Sequence, residues 1–322
     1  MATMTNGSIN RYIDSFVEIE IPVPWGHISG KWWGSREIQP VIAIHGWQDN
    51  AGSFDLLAPS LPTSVSLLCV DLPGHGFSSH FPHGQFYYLW WDYIIILRRI
   101  VKYYQWKKIS ILGHSLGGAI GFMYAAIYPD EVEKLISIDI VSPRIEAPEK
   151  LVEETPYCID RFLKYENLTA KDVPCYTYNI MIDIVLDAYK GSITRDKCEI
   201  LMKRGMAPTK KENNTYHFAR DPRLKIAGLA TLTIDLVKQY AGQIKCQYLN
   251  IRASEGITFT YPELYNELLE IIKSNASRFE YEQVSGSHHV HLQNPEAVSD
   301  IIGIFLTTHN HHNTSNIDDL LV

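Results

Sequence analysis

The chain has 322 residues, enough for one large domain carrying an insertion. Hydrophobic residues make up 46% and charged residues 20%, the balance of a globular protein that buries a core without staples. A formal net charge of −7 speaks against nucleic-acid binding through bulk charge and says little about small neutral ligands.

Five cysteines (Cys69, Cys158, Cys175, Cys198 and Cys246) form no CxxC pair. Their odd number reads as reduced thiols in a reducing compartment. The first 30 residues lack an apolar core behind a basic start, so no secretory signal is expected and the sequons at Asn6 and Asn167 carry no weight. The most apolar helical run, Phe86 to Leu97, is broken by Asp92 and is too short to span a bilayer. The expectation is a protein of the cell interior, in the cytoplasm, without a membrane span.

Phe16 to Ile21 alternates apolar and charged residues, the pattern of a strand with one wet face. A second strand is predicted over Ile28 to Trp33, after a turn containing Pro22, Pro24 and Gly26. Short apolar runs follow at 41–44, 65–70, 109–112 and 135–140, as strands buried on both faces of a parallel sheet require. Helical segments at 86–104 and 116–128 lie between them. The alternation predicts an α/β domain with a mostly parallel eight-stranded sheet flanked by helices. From Ser142 to about Gly242 no buried strand is read, and the stretch looks helical. The α/β pattern resumes with a strand at 246–252, a helix at 262–274, a strand at 279–284 and a last helix after Asn294. We divide the chain into a core of residues 12–141 and 243–308, an inserted helical cap of residues 142–242, and a polar, disordered tail of residues 309–322. His309, His311 and His312 in that tail have no cysteine or carboxylate at ligand spacing, so neither metal nor cofactor is expected.

The segment Ile109 to Gly118 carries the chemistry. An apolar strand runs into Gly113-His114-Ser115-Leu116-Gly117, and a helix follows at once. This is the pattern of a nucleophile elbow, in which a strained turn projects the Ser115 hydroxyl above the sheet. The helix that starts at Leu116 points amide groups at a developing oxyanion. His45-Gly46-Trp47 follows the third strand, where the second oxyanion donor belongs, so the amides of Trp47 and Leu116 form the expected pair. Gly46 lets backbone approach the substrate, and His45, Gly46 and His114 are expected to line its site.

Three histidines follow the last strand, and the triad base belongs there. His288 comes first after Gly286 and is chosen over His289, while His291 faces the following loop. The loop after the 246–252 strand reads Ala253-Ser254-Glu255-Gly256, with glycine where an aspartate is usual. Asp139, at the end of the strand that follows the nucleophile strand, is taken first as the acid and Glu255 second. Asp71 and His75, in Asp71-Leu72-Pro73-Gly74-His75-Gly76, are read as braces of a turn rather than as chemistry.

With these residues in place, the chain resembles the α/β-hydrolase superfamily over nearly its whole length. Within it the chain is similar to the serine hydrolase-like, or kraken-like, group. The segments that carry this are His45-Gly46-Trp47-Gln48-Asp49-Asn50-Ala51-Gly52-Ser53-Phe54-Asp55, Asp71 to Gly76, Gly113 to Gly118 and the His288 segment. The resemblance implies a hydrolase without a cofactor and names no substrate. The expected activity is hydrolysis of a small apolar carboxylic ester through an acyl-enzyme on Ser115. Tyr157, Phe162, Tyr165, Tyr176 and Tyr178 of the insertion are expected to line the acyl pocket. Two other readings stay open: a non-catalytic member binding a ligand or partner under its cap, kept alive by Gly256, and a cofactor-free haloperoxidase.

Overall fold

The computed structural model describes residues 16–84, 89–168, 172–209, 213–226 and 231–308. The chain opens with the antiparallel pair β1 (Phe16–Val23) and β2 (Gly26–Trp33). β3 (Val41–Ile44) and β4 (Leu67–Val70) follow, then α1 (Trp90–Tyr103), β5 (Ile109–His114), α2 (Leu116–Ile127) and β6 (Val132–Ile138). The stretch after β6 contains α3 (Pro148–Glu166), β7 (Tyr176–Thr177), α4 (Tyr178–Tyr189), α5 (Arg195–Gly205), β8 (Met206–Pro208), β9 (Thr215–Phe218) and α6 (Ile234–Ala241). β10 (Gln247–Glu255), α7 (Pro262–Asn275), β11 (Arg278–Ser287), α8 (Val290–Gln293) and α9 (Glu296–Thr307) complete it.

The main sheet has eight strands in the order β1-β2-β4-β3-β5-β6-β10-β11. All pairings from β4 onward are parallel, and β1–β2 and β2–β4 are antiparallel. The period-two rule of strands divides the side chains between two cores. Ile42, Ile44, Leu68, Val70 and Ile111 face one core, built with α1, α2, α6 and α7. Val41, Ala43, Leu67, Cys69 and Leu112 face the other, built with α9 and the helical turns at 51–60. This double burial is why the predicted strands read as unbroken apolar runs.

The stretch between β6 and β10 departs from the all-helical expectation. Three short strands form a separate antiparallel sheet, β7-β9-β8. They are two to four residues long, below what a hydropathy pattern registers. At the far end, Val237 and Ala241 of α6 share a core with Ile120 of α2 and Leu268 of α7, so α6 belongs to the layer flanking the sheet. At the end of α5, the buried Arg204 pairs with Asp71 Oδ2 at 2.6 Å and with Glu18, and donates to Ser29 Oγ at 3.1 Å. It ties this stretch to the turn after β4. No helix among the described residues is long and apolar enough to cross a membrane.

Candidate active site

β5 delivers Ser115 into a turn with φ 51° and ψ −115°, a conformation that strains a non-glycine residue. Two glycines permit it. A Cβ on Gly117 would lie 1.9 Å from the Ile44 carbonyl oxygen, and one on Gly113 would lie 2.3 Å from the Gly117 carbonyl carbon. α2 begins immediately after the serine. Ser115 Oγ has no hydrogen-bond partner among the described residues. The amides of Trp47 and Leu116 likewise donate no hydrogen bond there, and both residues line one cavity with Ser115.

Asp139 follows β6 directly and is fully buried, with φ 53°. Its amide donates to the Ile251 carbonyl at 2.7 Å, which fixes it against β10. The carboxylate gathers four donors. Oδ1 accepts from the Ala253 amide at 3.1 Å and from Arg252; Oδ2 accepts from the Ile257 amide at 2.9 Å and from His288 Nδ1 at 2.6 Å. Three of these partners, the Ala253 and Ile257 amides and the Arg252 guanidinium, can only donate, so the carboxylate acts as the acceptor of this cluster and His288 Nδ1 is assigned as the fourth donor. A donated Nδ1–H leaves Nε2 of His288 as the lone-pair nitrogen. Burial holds the His288 pKa below its ordinary value, and the Asp139 bond offsets part of that effect. Glu255 is exposed, and its carboxylate makes no hydrogen bond or ion pair among the described residues.

The cavity shared by Ser115 and His288 measures about 600 Å³. Leu89, Leu116, Ala119, Ile140, Leu151 and Leu232 give it an apolar lining, and Arg144, Glu146, Lys150 and Glu154 bring charge to it. Gly46 and His114 lie on its wall. His45 does not. It is buried, with Nδ1 donating to the Gly46 carbonyl at 2.7 Å and Nε2 accepting from the Leu72 amide at 3.0 Å, so it braces two loops. The five aromatics proposed for an acyl pocket also lie elsewhere. Tyr157 is exposed, Phe162 packs with Cys158 and Ile226, Tyr178 packs on the α4–α5 core, and Tyr165 and Tyr176 line a separate cavity of about 310 Å³. Residues 309–322, with His309, His311 and His312, lie outside the described residues.

Asp71 and His75 act as the turn braces read from the sequence. Asp71 accepts from the Ala51 amide at 2.7 Å and the Phe77 amide at 2.9 Å, and His75 Nε2 accepts from the Gln48 amide at 3.1 Å. The sequence did not point to Arg252 and the Ile257 amide as partners of the Asp139 carboxylate. The signal for them was Gly256, which leaves room for the Asp139 carboxylate. A second cluster, Asp49, His114 and His289, was not anticipated at all. Its members come from the loop after β3, the end of β5 and the turn after β11, and meet on the cavity wall.

Residues 39–295 match the family model described as alpha/beta hydrolase fold. A Drosophila melanogaster protein named "Probable serine hydrolase" is 49% identical over 91% of this chain and 88% of its own length. The human "Serine hydrolase-like protein 2" is 33% identical over 90% of this chain and 93% of its own. Among solved structures, a hypothetical protein of Pseudomonas aeruginosa superposes with a TM-score of 0.77 at 26% identity, covering 90% of this chain and 99% of that one. The thioesterase domain of the curacin biosynthetic pathway shares the fold, with a TM-score of 0.71 at 19% identity over 89% of this chain and 99% of that one. Elbow, sheet order and relatives agree: the chain belongs to the α/β-hydrolase family and, within it, to the serine hydrolase-like group.

Proposed function

We propose that the protein is a serine esterase whose triad is Ser115, His288 and Asp139. The observation that carries this is the 2.6 Å contact between His288 Nδ1 and Asp139 Oδ2, on a histidine that shares a cavity wall with a strained serine. Asp139 holds the ring with Nε2 free to take a proton, and it stabilises the imidazolium that forms. Ser115 Oγ attacks the ester carbonyl as His288 removes its proton. The unpartnered amides of Trp47 and Leu116 receive the oxyanion, the two donors this fold aims at it. The alcohol leaves with the proton from His288, and water then releases the acid by the same steps in reverse order.

A cavity of about 600 Å³ with an apolar lining supports a small or medium carboxylic ester. Residues from the insertion, among them Leu151, Ala188 and Tyr189, complete its wall, which supports reading the 142–242 segment as a cap over the site. Gly256 no longer favours a non-catalytic reading, because Asp139 supplies the carboxylate that Gly256 lacks. The test is turnover of p-nitrophenyl esters of increasing chain length together with labelling by a fluorophosphonate. We expect both in the native chain and neither in Ser115→Ala. Labelling that survives in that variant overturns the assignment.

A further inference from the structure

Three side chains converge beside the triad without a part in the reaction above. Asp49 comes from the loop after β3, His114 ends β5, and His289 follows β11. All three are more than nine-tenths buried, and their donor atoms lie within 4.8 Å of one another. Asp49 Oδ2 is 3.6 Å from His114 Nδ1 and 3.3 Å from His289 Nε2. Yet Asp49 Oδ2 and His114 Nδ1 have no hydrogen-bond partner.

The surrounding bonds set which atoms face inward. His114 Nε2 lies 2.9 Å from the His288 carbonyl oxygen. A carbonyl only accepts, so Nε2 carries a proton, and in the neutral ring Nδ1 turns its lone pair toward Asp49. His289 Nδ1 is 2.7 Å from Ser192 Oγ, which leaves Nε2 for the cluster. Asp49 Oδ1 accepts from the Tyr189 hydroxyl. Among the described residues no lysine or arginine forms an ion pair with Asp49; Arg220, on the same small pocket, attracts it only from beyond ion-pair distance. A buried carboxylate oxygen and a buried imidazole nitrogen, 3.6 Å apart and both without a hydrogen-bond partner, are unfavourable until a cation enters.

We propose that Asp49 Oδ2, His114 Nδ1 and His289 Nε2 bind one divalent transition-metal ion of the Zn²⁺ class. Two imidazoles and a carboxylate suit such an ion, whereas Ca²⁺ and Mg²⁺ want oxygen shells. Ligand bonds of about 2.0–2.1 Å in a tetrahedron set donor separations near ~3.3 Å, and the two Asp49 contacts are close to that. The second-contact pattern also fits: each ligating imidazole is oriented through its other ring nitrogen, and the carboxylate through its other oxygen. Because all three residues line the cavity, the fourth position opens on it. This assignment departs from the sequence expectation of no metal, since the ligands are far apart in the chain.

The ion would sit against the triad base. The His288 ring centroid is 4.5 Å from that of His114 and 5.2 Å from that of His289. With its open position on the cavity that holds Ser115, the bound ion obstructs the ester there, so it suppresses ester turnover. This last step rests on the esterase reading; the binding site does not.

The test uses the full chain stripped with a chelator and titrated with Co²⁺, read by visible d–d absorption. We expect one Co²⁺ per chain, displaced by Zn²⁺, with affinity weakened about 100-fold or more in His289→Gln and in Asp49→Asn. A chain with His309, His311 and His312 replaced by alanine keeps the signal. X-ray absorption of the Zn²⁺-loaded native chain needs no variant, and should report two imidazole nitrogens and carboxylate oxygen. Absence of stoichiometric binding, a signal lost with the tail histidines, or sulfur ligation overturns the site. Zn²⁺ should also reduce p-nitrophenyl ester turnover, with recovery on chelation. Turnover indifferent to bound Zn²⁺ overturns the suppression alone. A metal-free chain without any turnover sinks the esterase reading and leaves the binding result standing.

Discussion

The Asp139 carboxylate fills the space that a side chain at position 256 would need: a Cβ built on Gly256 would lie 2.1 Å from Asp139 Oδ1. The two positions are alternatives, because one volume next to His288 holds one acid. Gly256→Ala should push Asp139 off His288 and lower kcat/KM more than it lowers stability. Asp139→Gly should abolish turnover, and Asp139→Gly combined with Gly256→Asp should recover part of it. Steady-state kinetics on purified variants decide this; no recovery in the double variant would argue against a shared volume.

On the proposed mechanism, Ser115→Ala removes the attacking oxygen without altering the sheet. Turnover should fall by about 10³-fold or more, with fluorophosphonate labelling lost and the thermal midpoint kept. Intact-mass spectrometry after labelling checks the first point and circular dichroism the second.

His288→Ala should cost on the order of 10⁴ in kcat, measured in chelator, and His289→Ala far less. Asp139→Asn should resemble His288→Ala in kcat with little change in KM, because it disturbs the tautomer and leaves the cavity lining intact. The reverse ranking of the two histidines would transfer the base to His289.

Arg204→Met leaves Asp71 as a fully buried carboxylate without its cation. Breaking a buried pair in this way costs about 3–5 kcal/mol. Arg204 also reaches Glu18 and Ser29, contacts that lysine cannot reproduce together. Urea unfolding should show Arg204→Lys between native and Arg204→Met. A loss below about 1 kcal/mol in Arg204→Met would place the tie elsewhere.

Stability should fall at mildly acidic pH through His45 and His75. Burial lowers both pKa values from the ordinary 6.5, and the two rings lie 4.9 Å apart. Each accepts a backbone N–H at Nε2, from Leu72 and Gln48, so a proton there would face another proton. As pH drops below 6.5, the unfolded chain takes up protons before the folded one does. The stability these neutral rings contribute is therefore complete above pH 6.5 and declines below it. The urea midpoint at pH 5 should lie under that at pH 7, and His75→Gln should flatten the difference. A pH-independent midpoint would count against it.

What the sequence could display depended on how local each feature is. The elbow is spelled by consecutive residues around Ser115, and the core strands by apolar runs such as Val41 to Ile44, so both were legible. The choice between Asp139 and Glu255 was not, because it turns on one packing contact between β6 and the loop after β10. His45 was assigned to the substrate site from its place before Gly46, yet its ring turns down to bond Leu72. The aromatics of the insertion were assigned by composition, which carries no direction. Asp49, His114 and His289 are separated by 65 and 175 positions in the numbering, and only the assembled sheet brings them together.

Ser115 and Asp139 close adjacent parallel strands, β5 and β6, and both hold positive φ, 51° and 53°. Strain of this kind costs about 1–3 kcal/mol per residue. Glycine at Ser115 would relax the backbone and, on the proposed mechanism, remove the attacking hydroxyl with it; glycine at Asp139 would relax its backbone but leave the Arg252, Ala253 and Ile257 donors without their acceptor. Attempts to make the protein more heat-resistant will therefore gain nothing at Asp139 and, at Ser115, gain only at the expense of the proposed activity. A thermostable variant that still turns over must take its gain from elsewhere, in loops away from the carboxyl ends of these two strands.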